Sequence, residues 1–383
     1  MKRFIARTPR SGFYLSHKGS RGVRAPAGSR VATAARPEAQ RYVGRGCWAV
    51  AALNVALVIP RSGPAGMFGP SCALSARLAA DELNTADGAG GRAVRLITVD
   101  GGARPGDVAR ETDQLISTGA VDAVVGWHIS AVRQALAPRV RCRVPYIYTA
   151  LYEGGERAPG VYVTGETPGK QLLPAMRLLG EGYRIRRWCV VGNDYVWPRV
   201  TARAARRYAS QCGATIAAEQ FVPLGTADFS GVLRRIERCA ADAVLMLLVG
   251  DDAARFNRAF AAAGLDERAL RLSTLMDENM LLASGPDATR GVWAASGYFE
   301  TLATPQALSF GARYARRFGV HAPPVGSPGE SCYEGIRLLA ALARGRADFE
   351  GARGPLSVHG NHVDQPVYLA EATTLDFHVR SQL

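Results

Sequence analysis

From about residue 52 of this 383-residue chain, short apolar runs alternate with longer amphipathic stretches. The runs of strand length are Leu53 to Ile59, Val94 to Val99, Val121 to Val125, Val144 to Tyr148, Trp188 to Val191, Ala243 to Val249, Leu270 to Leu275 and Val292 to Ser296. Helical patterns lie between them at Ser71 to Asn84, Asp107 to Ser117, Lys170 to Leu179, Pro198 to Cys212, Phe229 to Ala240, Asp252 to Ala263 and Ser331 to Arg344. In the first of these, Leu74, Leu78 and Leu83 share roughly one face, and Ser71 is placed to cap the amino end. Such alternation is the signature of βα units and a parallel sheet. From Gly354 onward the pattern changes to short strands joined by turns, with no helix between.

The expected fold class is therefore α/β, with two Rossmann-like lobes of mostly parallel sheet joined by a hinge of several crossovers. The chain is long enough for two cores. Lobe 1 is expected over 52–166 plus about 297–352, and lobe 2 over 167–296 plus about 353–383. The first crossover falls near Gly165 to Gly169.

The stretch Val121 to Gly154 reads as strand, loop, helix, strand, loop. Its two loops, Trp127-His128-Ile129-Ser130 and Thr149 to Gly154, leave the carboxyl ends of neighbouring strands. That edge of an open α/β sheet is where small ligands bind. A second aromatic loop, Tyr195 and Trp197 in GNDYVWPR, occupies the matching position later in the chain. Aromatic walls with few polar contacts enclose a small ligand and exclude water.

Composition narrows the function. The net charge of +14 resides mainly in residues 1–46, where eleven Lys or Arg face the single acid Glu38. Subtracting these from 47 bases and 33 acids leaves 36 against 32, so the remainder is nearly balanced. Nucleic-acid binding is not expected. Residues 1–51 are expected to form a disordered basic segment, rich in Arg, Gly, Ser and Pro. It does not read as an ordinary signal peptide, and the apolar run Cys47 to Pro60 is too short to span a membrane. The seven cysteines are scattered without a CxxC pair, which argues against a zinc site or disulfide framework and fits a reducing compartment slightly better. Localisation stays open on these signals.

Enzyme signatures are missing: there is no GxSxG, no HExxH and no GxGxxG after a strand. GETPGK at Gly165 to Lys170 is one residue short of a phosphate loop. No cofactor and no metal are expected; His359, His362 and His378 are read as surface histidines of a terminal hairpin. His128 either lines the ligand or supports the loop from behind.

Taken together, VALVIPRSGPAGMFGPSCALSARLAADELN, VVGWHIS, YTALYEGGE, GNDYVWPR, LVGDDAARFNRAF and the late Asn361-His362 pair resemble, in order and spacing, the type I periplasmic solute-binding proteins. The nearest branch holds the amide sensor of the aliphatic amidase operon and urea- or short-chain-amide-binding transporter subunits. The resemblance runs from about Leu53 to Val379 and implies the type I periplasmic binding protein fold. It places Ser130 at a helix amino end, where hydroxyl and backbone N–H groups receive a carboxylate or amide oxygen. Tyr148 and Ala150 fall on two contacts after the next strand, with Tyr152 in the same loop. Tyr195 and Trp197 fall on the second lobe's aromatic pair. Glu278 falls near a position that takes a ligand ammonium, with Asp277 adjacent. Phe68, Trp127, His128 and Thr149 complete the candidate ligand-binding set. Where relatives often carry threonine this chain has Ala150, with Thr149 displaced by one. Loss of a hydroxyl bonded to a charged amine costs roughly 1.5–3 kcal/mol, so a neutral or less polar ligand is favoured over an ordinary amino acid. Trp127 and His128 are bulky for their loop and narrow the pocket.

The expectation is a non-catalytic protein that closes two lobes on a small amide, urea-like or amino-acid-derived solute. Its partner is an ABC permease, if it serves an importer. The alternative is a cytosolic sensor acting on a regulator, and a homodimer is compatible with either. An enzyme using His128, Ser130 and Asp194 is the third reading.

Overall fold

The computed structural model describes residues 51–383. The expected disordered segment 1–51 lies, apart from Ala51, outside the described residues.

The first lobe is built from β1 (Leu53–Ile59), α1 (Gly69–Thr85), β2 (Val94–Asp100), α2 (Pro105–Ser117), β3 (Ala123–Gly126), α3 (Ser130–Val140), β4 (Tyr146–Tyr148) and β5 (Val161–Val163). The second follows with α4 (Pro168–Tyr183), β6 (Arg187–Asn193), α5 (Val196–Gln211), β7 (Thr215–Val222), α6 (Ser230–Cys239), β8 (Ala243–Leu247), α7 (Asp251–Ala262), β9 (Leu270–Ser273), α8 (Glu278–Ser284) and β10 (Val292–Ser296). The chain then returns through α9 (Pro305–Phe318) and α10 (Ser327–Ala343) to β11 (Asp348–Gly351), β12 (Gly354–His359) and β13 (His362–Asp364). It ends with β14 (Tyr368–Ala372) and β15 (Phe377–Gln382).

Among the described residues there are two sheets. The eight-stranded sheet has the order β11-β12-β13-β5-β4-β3-β1-β2, and the seven-stranded sheet β15-β14-β10-β9-β8-β6-β7. In each, the five strands of the βα units run parallel and share one order, with the first strand flanked by the second and third. That arrangement creates a topological switch point beside β1 in one sheet and β6 in the other. β1 and β8 are buried almost throughout, as parallel strands covered on both faces must be. At the end of β3, Gly126 lies so close to β1 that a Cβ would run into the backbone oxygen of Val58. Only glycine lets the strand finish there.

Three segments join the lobes: 164–167, 297–304 and 365–367. The pairing of the terminal strands differs from expectation. Residues 354–364 were placed with the second lobe, but β12 and β13 extend the first sheet, where His362 pairs beside Val163. Only β14 and β15 join the second sheet. Short strands joined by turns carry no local mark of which edge they will meet. Ser71 also departs from expectation: α1 begins at Gly69, and Ser71 Oγ donates back to the carbonyl of Phe68 at 3.0 Å instead of capping.

Two of the crossovers meet at one buried charge cluster. Glu166, in the first, accepts the N–H of Gly297, in the second, at 2.9 Å. Arg353, in the turn between β11 and β12, reaches Glu166 at 3.4 Å and Glu330 at 3.3 Å, and pairs with Glu334. A Cβ on Gly297 would overlap both the Glu166 carboxylate and the Arg353 guanidinium. Burial raises Glu330 well above the usual carboxylate range, with Glu334 and Glu166 adding to the effect. Glu334 is equally buried, yet Arg353 holds it below its ordinary value. Glu330 is therefore the neutral member of the cluster, and Glu334 with Glu166 faces the single cation of Arg353.

Removing the cation while leaving the carboxylates buried should be costly. Arg353→Met is expected to lower unfolding free energy by about 3–5 kcal/mol, read as a shift in the urea midpoint. A change below about 1 kcal/mol would show that the cluster does not hold the lobes.

Candidate functional site

The site forms where the two switch points face each other. The loop after β1 meets the start of α7, where the N–H of Asp251 donates to Pro64 O across the lobes at 2.9 Å. On the second lobe, Asn193 at the end of β6 ties the neighbouring strand ends together. Its side chain accepts the N–H of Val249 at 2.9 Å and donates to Asp252 at 2.7 Å. These bonds set the turn that carries Tyr195 and Trp197.

Ser130 is the first residue of α3, and no side chain caps that helix end. Its Oγ lies 3.5 Å from the Tyr148 hydroxyl. The Tyr148 phenol donates instead to the backbone oxygen of His128 at 2.9 Å, pinning the loop that leads into α3. Burial raises the Tyr148 phenol, so it stays neutral. The amino end of α3 thus presents a hydroxyl, unpaired N–H groups and the positive end of a helix dipole, which together suit an oxygen anion or a carbonyl.

His128 faces away from that point. Its Nε2 accepts the Tyr146 hydroxyl at 2.9 Å, leaving Nδ1–H toward Ile129 O at 3.3 Å. Burial pushes its pKa down to about 3, and the charge of Arg133 acts the same way. The ring is neutral and supports the loop from behind. Thr149 also turns inward: its hydroxyl accepts from Ser331 at 3.1 Å, against α10. Trp127 packs edge-on to Phe68, with centroids 4.9 Å apart, and both are buried. Ala150 is buried beside the first crossover.

Tyr152 stands at right angles to Tyr148, 6.3 Å between centroids, and its hydroxyl bonds His362. On the facing lobe, Tyr195 and Trp197 lie 6.2 Å apart. Burial raises the Tyr195 phenol, and Tyr148 and Glu153 of the first lobe add to the shift.

Asp277 and Glu278 are engaged in structure. Asp277 caps α8, accepting the N–H of Met280 at 3.0 Å, and burial raises its pKa to about 6. Glu278 accepts the N–H of Glu300 at 2.7 Å, while its second oxygen is buried without a protein partner. The trio expected of an enzyme does not assemble: Asp194 is exposed and pairs with Arg199 at 2.7 Å, while His128 is turned to Tyr146. His378 lies in the other sheet from His359 and His362.

Sequence reasoning missed Arg133, Glu153 and Glu156. Arg133 stacks over Tyr148 and Tyr152, 5.6 and 5.1 Å from their centroids, and pairs with both glutamates. The available signal was an arginine one turn into the helix that Ser130 opens, followed by two acids in the next aromatic loop.

Two α/β lobes joined by three crossovers, with the carboxyl ends of their parallel strands facing each other, define a protein of the two-lobed ligand-binding type. The chain belongs to the periplasmic binding protein family, whose model matches residues 52–374. Solved structures agree in fold. An R. palustris ABC-transporter solute-binding protein in complex with benzoate matches with a TM-score of 0.78 at 19% identity, covering 86% of this chain and 96% of that one. An ABC transporter substrate-binding protein from Sphaerobacter thermophilus gives 0.74 at 24% identity, covering 86% and 97%. The branched-chain amino acid transporter substrate-binding protein of Streptococcus pneumoniae, with isoleucine, gives 0.74 at 18%, covering 86% and 98%.

The neutral His128 predicts an acid-sensitive fold. Unfolded, His128 titrates near 6.5; folded, near 3. Below pH 6.5 the unfolded chain takes up a proton that the folded one refuses, so stability present above 6.5 is lost as pH falls, by up to about 1.4 kcal/mol per unit. The stability advantage of wild type over His128→Asn should therefore shrink between about pH 7 and 4.5 in denaturant titrations. A pH-independent difference would overturn this.

Proposed function

We propose that this chain is the substrate-binding component of an ABC importer, closing over a small organic solute and delivering it to a permease. The solute presents a carboxylate or amide oxygen to the amino end of α3 and a flat or apolar body to the aromatic walls. The observation that carries this reading is the uncapped start of α3 at Ser130, whose hydroxyl lies 3.5 Å from the Tyr148 phenol. Similar proteins crystallised with benzoate and with isoleucine, both carboxylates, support it. A carboxamide is the neutral member of the same class, and it keeps the amide-binding branch in the comparison. Closure follows from differential binding: the ligand touches both lobes only in the closed state, and so shifts the equilibrium toward it.

Melting curves of residues 52–383 with benzoate, isoleucine, acetamide and urea test this. A ligand at a hundred times its Kd adds about 2.7 kcal/mol. At least one oxygen-bearing probe should raise the melting temperature, and Trp197→Ala should abolish the rise. An amide effect without a carboxylate effect assigns a neutral head group. No shift with any of the four overturns the reading.

A further inference from the structure

Beside the cleft, a cavity of about 560 Å³ opens between α3 and the loop after β4 on one lobe and α5 on the other. Arg133, Glu153 and Glu156 line one wall, and Val196 and Val200 the opposite one. Two carboxylates, Glu153 and Glu156, face the Arg133 guanidinium, and Arg141 also lines the cavity, so the carboxylate charge is matched.

That charge is not fully bonded. Glu156 accepts from Arg133 and from the N–H groups of Arg157 and Ala158, at 3.0 and 2.9 Å. Glu153 uses one oxygen, which accepts from Arg133 at 2.6 Å and from Gln134 at 3.3 Å. Its other oxygen is buried without a partner, although the side chain is only 6% exposed. Nε of Arg133 is also buried and unpartnered. A buried acceptor left unbonded is costly, and a ligand donor that reaches it removes the cost.

Arg133 follows Ser130 by three residues, so at 1.5 Å per residue it stands about 4.5 Å further along α3. Its guanidinium rests on Tyr148 and Tyr152, the walls of the main cleft. Arg133 is thus shared between the cavity wall and the two tyrosines.

Building on the function proposed above, we propose that this cavity is a second subsite for the same solute. It receives a cationic, hydrogen-bond-donating tail, such as a primary ammonium, on the free oxygen of Glu153. The solute is then a carboxylate or amide with an amine at its far end, spaced by a short chain or a ring. Val196 and Val200 close over the spacer. The tail supplies the donor that the second oxygen of Glu153 lacks.

Paired probes test the subsite: 4-(aminomethyl)benzoate against 4-methylbenzoate, and 5-aminopentanoate against pentanoate, each titrated calorimetrically. The amine-bearing member should bind about tenfold or more tightly in at least one pair. In Glu153→Gln that ratio should collapse toward unity, and it should do so again in Val200→Lys, which places a like charge on the opposite wall and leaves the Arg133 pairs intact. Melting curves establish that each variant is folded. Equal binding within both pairs, or tighter binding of the plain acids, overturns the subsite while leaving the importer reading in place. Failure of all four to bind, with benzoate or acetamide still active, also overturns it. Failure of every probe removes the head-group assignment and the subsite together.

Discussion

One buried arginine holds the two lobes in register. Arg353 meets Glu166 of the first crossover, which in turn binds Gly297 of the second, and the third crossover begins a few residues beyond the hairpin that Arg353 opens. A guanidinium with its side chain about 1% exposed is matched here by the three carboxylates around it. Burial holds Glu330 high, which lessens the negative charge they place there.

The ligand face follows from that arrangement. Because both sheets share one strand order, their switch points oppose each other when the lobes approach, and the loops after β1, β3, β6 and β8 converge. The first lobe contributes a helix end with its hydrogen-bonding groups unpaired; the second contributes mostly aromatic surface. In the function proposed above, polar recognition falls to the first lobe, and closure by the second mainly removes water. Neutral supports surround the helix end: Tyr146 bonds His128, and Tyr148 bonds the His128 carbonyl. A charged histidine there would oppose the helix dipole and the arginine one turn further on.

Much of this was legible locally. Strand β1 and strand β10 fall where their apolar runs predicted, because a strand covered on both faces needs apolar residues at every position. The aromatic positions of the cleft were visible because Tyr148, Tyr152, Tyr195 and Trp197 each follow a strand within a few residues. β7 was not visible: it is an edge strand, half-buried along most of its length, and its sequence TIAAEQFV mixes polar and apolar residues. β5 has three residues, too few for any pattern.

Sequence alone therefore determined the βα alternation, the burial of the central strands and the loops that carry the site, since each depends on neighbours a few residues apart. Tertiary structure decided the rest. Whether β12 and β13 joined the first or second sheet depended on the parallel pairing of His362 with Val163. Whether His128 faced ligand or core depended on Tyr146, and Arg133 became a wall of the cleft only by finding Glu153 and Glu156 some twenty residues later. Apolar periodicity reports how far each position is buried. It carries no information on which distant charge or hydrogen-bond partner burial will require, and those partners are set when the chain closes on itself.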